Sequence, residues 1–206
     1  MRLEKHLKEM INLNSVAEEM FEKIKKDCKP FLKQMNIDKP LWRGSKDIVR
    51  NDYEKIKPRK DRRPRNTDPD LQVILDNVFN KKFGWKPRSS GVFCGGDKRE
   101  AETYGNVYSV WPIGNFKFIW SERVSDLFVN FETEIACDCF ILHIFWNDKN
   151  LTKTKECISK VEENVPKLYT DKNLAKAINS WNEVMIGCKE YYLVNEEVTR
   201  LMGEIK

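Results

Sequence analysis

The strongest constraint on this chain is its alternation of short β-rich runs with helix-spaced apolar stripes, which directs it to an α+β architecture. Residues 107–111, 116–120, 183–186 and 191–194 are compact runs of β-branched, aromatic and aliphatic side chains bounded by turn residues. Pro112-Ile113-Gly114-Asn115 between the first two reads as a hairpin connection. The last two flank Gly187-Cys188-Lys189-Glu190 and read as a terminal strand pair before a short final helix. The clearest helix follows Asp68-Pro69-Asp70, a cap with proline at the first helical position. There Leu71, Ile74, Leu75, Val78 and Phe79 make one stripe that stops before Gly84. At 206 residues with 40% hydrophobic content, the chain can bury one substantial core.

At the N-terminus, Leu7, Met10 and Ile11, then Val16, Met20 and Ile24, recur at three- and four-residue spacing, with Ser15-Val16-Ala17-Glu18 as a capping box. This predicts two amphipathic helices within residues 1–37, an extension packed on a domain of residues 38–206. Leu41-Trp42-Arg43-Gly44 reads as a short strand end. Residues 55–70 hold many charges, three prolines and almost no apolar side chains, and are expected to form a mobile basic loop. Gly91-Val92-Phe93-Cys94 predicts a buried strand. Gly95-Gly96-Asp97 then supplies a turn and a cap, with Ala101 and Tyr104 on one face of the helix that follows. Ser121 is expected to cap a periodic stretch through Val124, Leu127, Phe128, Phe131 and Ile135, and further helices are expected over 154–163 and 171–179.

Thirty-seven Lys+Arg against 32 Asp+Glu leave a net charge of +5, a mild excess that permits polyanion binding without requiring it. Six cysteines are scattered without framework spacing, and residues 1–8 are charged and lack the apolar core of a signal peptide, so a cytoplasmic, reducing location is expected. The most apolar run, residues 139–146, is interrupted by His143 and falls short of the roughly 20 residues a membrane span needs. It reads as a core element, and no membrane partner is expected. Cys137, Cys139 and His143 lack a second ligand pair, so no metal is expected. His6 has no nucleophile or carboxylate partner readable from sequence, and there is no Walker loop, Rossmann fingerprint or nucleophile elbow.

Three separated features carry the chemistry. They are an Arg-Gly at a strand end, Gly91-Val92-Phe93 followed by Ala101-Glu102-Thr103-Tyr104-Gly105, and a glutamate opening the apolar strand Glu183-Val184-Met185-Ile186. In this order, over residues 41–194, they resemble the ADP-ribosyltransferases. The resemblance implies a split β-sandwich of the ADP-ribosyltransferase type with N-terminal helices, and NAD as the substrate. Pro40-Leu41-Trp42-Arg43-Gly44 is similar to the aromatic-Arg-Gly signature of the arginine-containing branch, giving Arg43 a phosphate contact and Gly44 a backbone contact to nicotinamide. A planar fork of donors suits a pyrophosphate, and glycine lets backbone approach a flat ligand. Phe93 and Tyr104 resemble the two aromatics that sandwich nicotinamide in poly(ADP-ribose) polymerases. Ser89-Ser90 offers an alternative, with Ser90 filling the serine motif of the arginine branch. Glu183 resembles the catalytic glutamate, which would accept a hydrogen bond from the nicotinamide ribose and stabilise positive charge as the glycosidic bond loosens.

The resemblance therefore implies a mono-ADP-ribosyltransferase modifying a macromolecule, a protein first and RNA or DNA as other acceptors. It is similar to the small lysine-rich enzymes that bacteriophages carry into the host cytoplasm. Transfer and simple NAD hydrolysis both remain open. Arginine-modifying members carry Glu or Gln two positions before the catalytic glutamate, whereas Trp181 stands here, which argues against arginine as acceptor. The alternative is a non-enzymatic nucleic-acid-binding or virion-associated protein that keeps the fold, its affinity supplied by the basic residues of 57–65.

Overall fold

The computed structural model describes residues 2–46, 49, 51–63, 69–125, 127 and 151–205 and shows an α+β protein. Its elements in chain order are α1 (Arg2–Asp27), α2 (Lys29–Leu32), β1 (Leu41–Ser45), β2 (Tyr53–Ile56), α3 (Pro69–Phe83), α4 (Pro87–Ser90), β3 (Val92–Gly95) and α5 (Lys98–Glu102). After these come β4 (Asn106–Pro112), β5 (Phe116–Ser121), α6 (Leu151–Leu168), β6 (Tyr169–Thr170), α7 (Leu174–Asn179), β7 (Glu183–Cys188), β8 (Tyr191–Asn195) and α8 (Glu196–Glu204). The hydrogen-bonded strand order is β2-β8-β4-β1-β3-β7-β5-β6. The chain forms two compact units, the first Met1–Lys57, Cys94–Phe116 and Cys188–Lys206, the second Pro58–Phe93 and Lys117–Gly187.

In the first unit, α1 turns the buried side chains Ala17, Met20 and Ile24 inward, and it packs with α8, which buries Val198 and Met202. Strands β2, β8, β4 and β1 run antiparallel to their neighbours, with Arg43 opposite Tyr108 and Gly44 opposite Val107. Five successive residues of β4, from Tyr108 to Pro112, are buried, so this strand is covered on both faces instead of alternating between core and solvent. The polar atoms inside are satisfied: Trp111 Nε1 donates to Ser109 Oγ at 2.7 Å, and Ser109 Oγ lies 2.7 Å from Thr199 Oγ1.

Burial pushes the Cys28 and Cys188 thiols of this unit up to about 12, with Asp27 adding to the effect at Cys28. Because the folded state favours the neutral thiol, these groups contribute stability that is fully present below their ordinary value of 9.0 and lost as pH rises toward 12. Urea titrations should therefore show the free energy of unfolding falling as pH rises above 9. The double variant Cys28→Ala, Cys188→Ala should flatten that fall. An unchanged slope would remove the thiols as its cause.

The second unit is built around Leu75, Phe79, Ile119, Val124, Leu127, Val161, Val165, Tyr169 and Met185. Phe79 and Tyr169 meet edge to face at 5.0 Å. Lys82 on α3 donates to the Tyr169 carbonyl at 2.6 Å, and Trp120 Nε1 to the Lys172 carbonyl at 2.7 Å, tying α3 and β5 to the segment around β6.

Several expectations need correction. The N-terminus is one 26-residue helix, not two. It contains no Gly or Pro, so Ser15 and Glu18 sit inside it instead of capping a second helix. Strands β4 and β5 do not form a hairpin: β4 lies between β8 and β1, and β5 between β7 and β6. The connector bonds elsewhere, with the Gly114 N–H donating to Asp27 O at 2.8 Å and the Ile113 N–H to Glu190 O at 3.0 Å. For the same reason β7 and β8 are strands but not partners of one another. Tyr53–Ile56 is a strand, so the expected loop over 55–70 begins inside an ordered element. The first of the two later helices is longer than expected, Leu151–Leu168, and the second begins at Leu174, after Asn173 adopts a left-handed conformation at φ 60°. The stretch expected through Phe128, Phe131 and Ile135, the run at 139–146, and Cys137, Cys139 and His143 lie outside the described residues. Among the described residues no helix is long and apolar enough to cross a membrane.

Candidate functional site

The start of β7 is fixed by a chain of hydrogen bonds, two of them to the last residue of β5 and to the segment that follows it in sequence. Ser180 Oγ donates to Ala177 O at 2.6 Å and accepts from the Asn182 N–H at 3.2 Å. Asn182 Nδ2 reaches Ser121 O at 2.7 Å, and the Glu183 N–H donates to Ser125 O at 2.9 Å. Glu183 thus stands at the first position of a clamped strand, its side chain 20% exposed, with Oε1 3.5 Å from Nη1 of Arg88, whose side chain is 10% exposed. A sheltered carboxylate beside a guanidinium is an acceptor for hydroxyl groups and a stabiliser of nearby positive charge.

Arg88 is held from both ends. Pro87 opens α4, and its first-turn N–H groups point at Asp76 on α3: Arg88 N to Oδ1 at 2.8 Å and Ser89 N to Oδ2 at 3.1 Å. Asp76 is buried, and each oxygen takes a donor that the four-residue helix could not satisfy itself. The Arg88 guanidinium lies 5.0 Å from the centre of the Phe93 ring on β3, and that of Arg62 lies 3.9 Å from it. Arg62 is set in place by its own backbone: its N–H donates to Ser89 O at 3.0 Å and its carbonyl accepts from Gln72 Nε2 at 2.7 Å. Replacing Asp76 with Ala strips both caps from α4 and should cost about 2–4 kcal/mol of stability in urea unfolding, Asp76→Asn less. A change below about 0.5 kcal/mol, the size of an ordinary surface substitution, would contradict this role.

The residues expected from sequence divide between the units. Arg43, Gly44 and Tyr104 belong to the first, Ser90, Phe93 and Glu183 to the second. Within the first unit, Arg43 and Gly44 lie side by side on β1, and Gly44 has a packing reason of its own. A Cβ there would sit 1.9 Å from Ala101 O and 2.7 Å from Tyr104 Cβ, so glycine lets the end of α5 rest on the strand. Ala101 is buried while Tyr104 is 54% exposed, so the two do not share a buried face. Within the second unit, Phe93 and Glu183 are brought together through Arg88, and Ser90 sits at the end of the same helix with its hydroxyl donating to Lys86 O at 2.6 Å. Trp181, two residues before Glu183, is 62% exposed.

Arg62, Arg88 and Asp76 were not among the expected site residues. Arg62 fell within a segment expected to be mobile, and Arg88 is 95 residues from its carboxylate. One signal was present: Gln72 and Asp76 are four residues apart on α3 beside its apolar stripe, and both are buried. Among the described residues no group of three or more His, Cys, Asp or Glu is arranged to hold a metal ion. Comparison of the chain with protein-family models, with curated proteins and with solved structures returns no match.

Proposed function

We propose that the chain is a mono-ADP-ribosyltransferase of the split β-sandwich type. It would cleave NAD at the nicotinamide glycosidic bond and transfer ADP-ribose to a macromolecular acceptor, a protein first, with RNA or DNA as the other candidates. The observation that carries this reading is Glu183, a sheltered carboxylate on the first residue of a clamped strand with a guanidinium beside it. The order of motifs in the sequence supplies the rest. As the bond from ribose C1′ to the pyridinium nitrogen lengthens, its electron pair leaves with neutral nicotinamide and positive charge builds on the ribose. Glu183 accepts the ribose hydroxyl hydrogen bond and stabilises that charge. Arg43 supplies the planar donor fork for a phosphate. The acceptor's nucleophile then bonds to C1′ and gives up its proton.

Incubating the purified protein with NAD labelled in the adenylate half and a bacterial lysate tests the reading. Label should enter macromolecules with the wild type and be lost with Glu183→Ala and with Arg43→Ala. Protease or nuclease digestion of the labelled material then identifies the acceptor class. Salt-sensitive RNA or DNA binding with neither label transfer nor nicotinamide release would favour the non-enzymatic alternative.

A further inference from the structure

We propose that Arg88 is a positioning residue for Glu183, and that Asp76 sets Arg88. This deepens the transferase reading and rests on it for its catalytic consequence. A glutamate side chain has three rotatable bonds, and a carboxylate meant to meet one ribose hydroxyl must be kept near one rotamer. The backbone fixes only its Cα, through the Glu183 N–H to Ser125 O bond of 2.9 Å. The Arg88 guanidinium, 3.5 Å from Oε1, bears on the carboxylate end. An arginine is itself flexible, yet here its main chain is pinned by Asp76 at 2.8 Å and its guanidinium is laid against the Phe93 ring. A buried carboxylate on α3 thereby fixes, through α4, the position of a second carboxylate on β7.

Arg88 from α4 faces the Glu183 carboxylate directly. Arg62 shares the Phe93 ring with Arg88, and Asp76 is engaged by the N–H groups of α4. A guanidinium beside a carboxylate favours its ionised form, the form that carries the charge able to stabilise a cationic ribose.

The test compares wild type, Arg88→Met and Arg88→Lys, each checked for an intact thermal transition, by two readouts. One is nicotinamide release from NAD across pH. The other is a carbon-13 NMR titration of protein labelled at glutamate carboxyls, with the Glu183 signal assigned by its loss in Glu183→Gln. Arg88→Met should raise the Glu183 midpoint by about 1 pH unit or more and move the acid limb of the kcat profile with it. It should also lower kcat about tenfold while KM changes less than about twofold, the signature of an interaction felt mainly in the transition state. Arg88→Lys should restore the midpoint more than the rate, since a point charge replaces a planar fork. A folded Arg88→Met with unchanged midpoint and unchanged kcat overturns the inference. A wild type that releases no nicotinamide overturns the transferase reading instead, and the titration still decides whether Arg88 holds the carboxylate.

Discussion

Gly44→Ala should cost about 3 kcal/mol of stability, far more than a single methyl group ordinarily does. The added Cβ would lie 1.9 Å from the Ala101 carbonyl oxygen and 3.0 Å from its carbon, both backbone atoms, and 2.7 Å from Tyr104 Cβ. No rotamer change relieves a clash between a Cβ and main chain, so α5 must lift from β1 or β1 must shift against β4, with which Gly44 is in register at Val107. Calorimetry should show the Tm lowered by roughly 6–12 °C, at about 2–4 °C per kcal/mol for a chain of this size. Gly203→Ala in α8 is the matched control. Nothing lies within 4 Å of its added Cβ, and alanine there should be neutral or stabilising by up to about 1 kcal/mol. Equal effects at the two glycines would show that the approach of α5 to β1 is not what Gly44 serves.

Glu183→Gln should reduce nicotinamide release by about 100- to 1,000-fold, the range seen when one preorganised group facing the developing charge is removed. Glutamine keeps the length and one acceptor oxygen of glutamate. It loses the negative charge that stabilises the ribose cation, so the loss should fall on kcat with KM little changed. Thermal unfolding run in parallel separates lost chemistry from a lost fold. A variant that stays folded and within a fewfold of wild-type kcat would take the central role away from Glu183.

The parts of this fold legible in the sequence were those decided locally. Pro69 opening α3, Gly84 following its end and Asp97 capping α5 with a 2.8 Å bond to the Arg99 N–H are all effects of neighbours within a few residues. The strand runs were legible too, because β-branched and aromatic side chains concentrate wherever a strand is covered. Pairing was not legible. Pro112-Ile113-Gly114-Asn115 has the composition of a hairpin turn, and Gly114 does adopt φ 66°, yet its bonds go to Asp27 and Glu190, partners chosen by packing across the chain. β2 was missed because Tyr53-Glu54-Lys55-Ile56 is half charged, as suits an edge strand, and resembles the loop that follows it.

The candidate site divides in the same way. Glu183 was readable as the opening residue of an apolar strand, and it stands there. Arg88 was not, since an arginine between proline and serine carries no local mark of the carboxylate it will meet, and only folding brings the two within 3.5 Å. Gly44 was readable as a residue that permits close approach. Its nearest neighbours within the first unit are the Ala101 carbonyl and Tyr104, so packing alone gives a physical reason for a glycine there.

Chromatographic measurement of the nicotinamide released when purified, folded protein is mixed with NAD alone tests directly whether Glu183 cleaves the glycosidic bond. The wild type should release nicotinamide, by slow hydrolysis where no acceptor is present, and Glu183→Gln should nearly abolish that release. No release by the wild type, with or without added lysate, or release that Glu183→Gln leaves intact, would contradict that role.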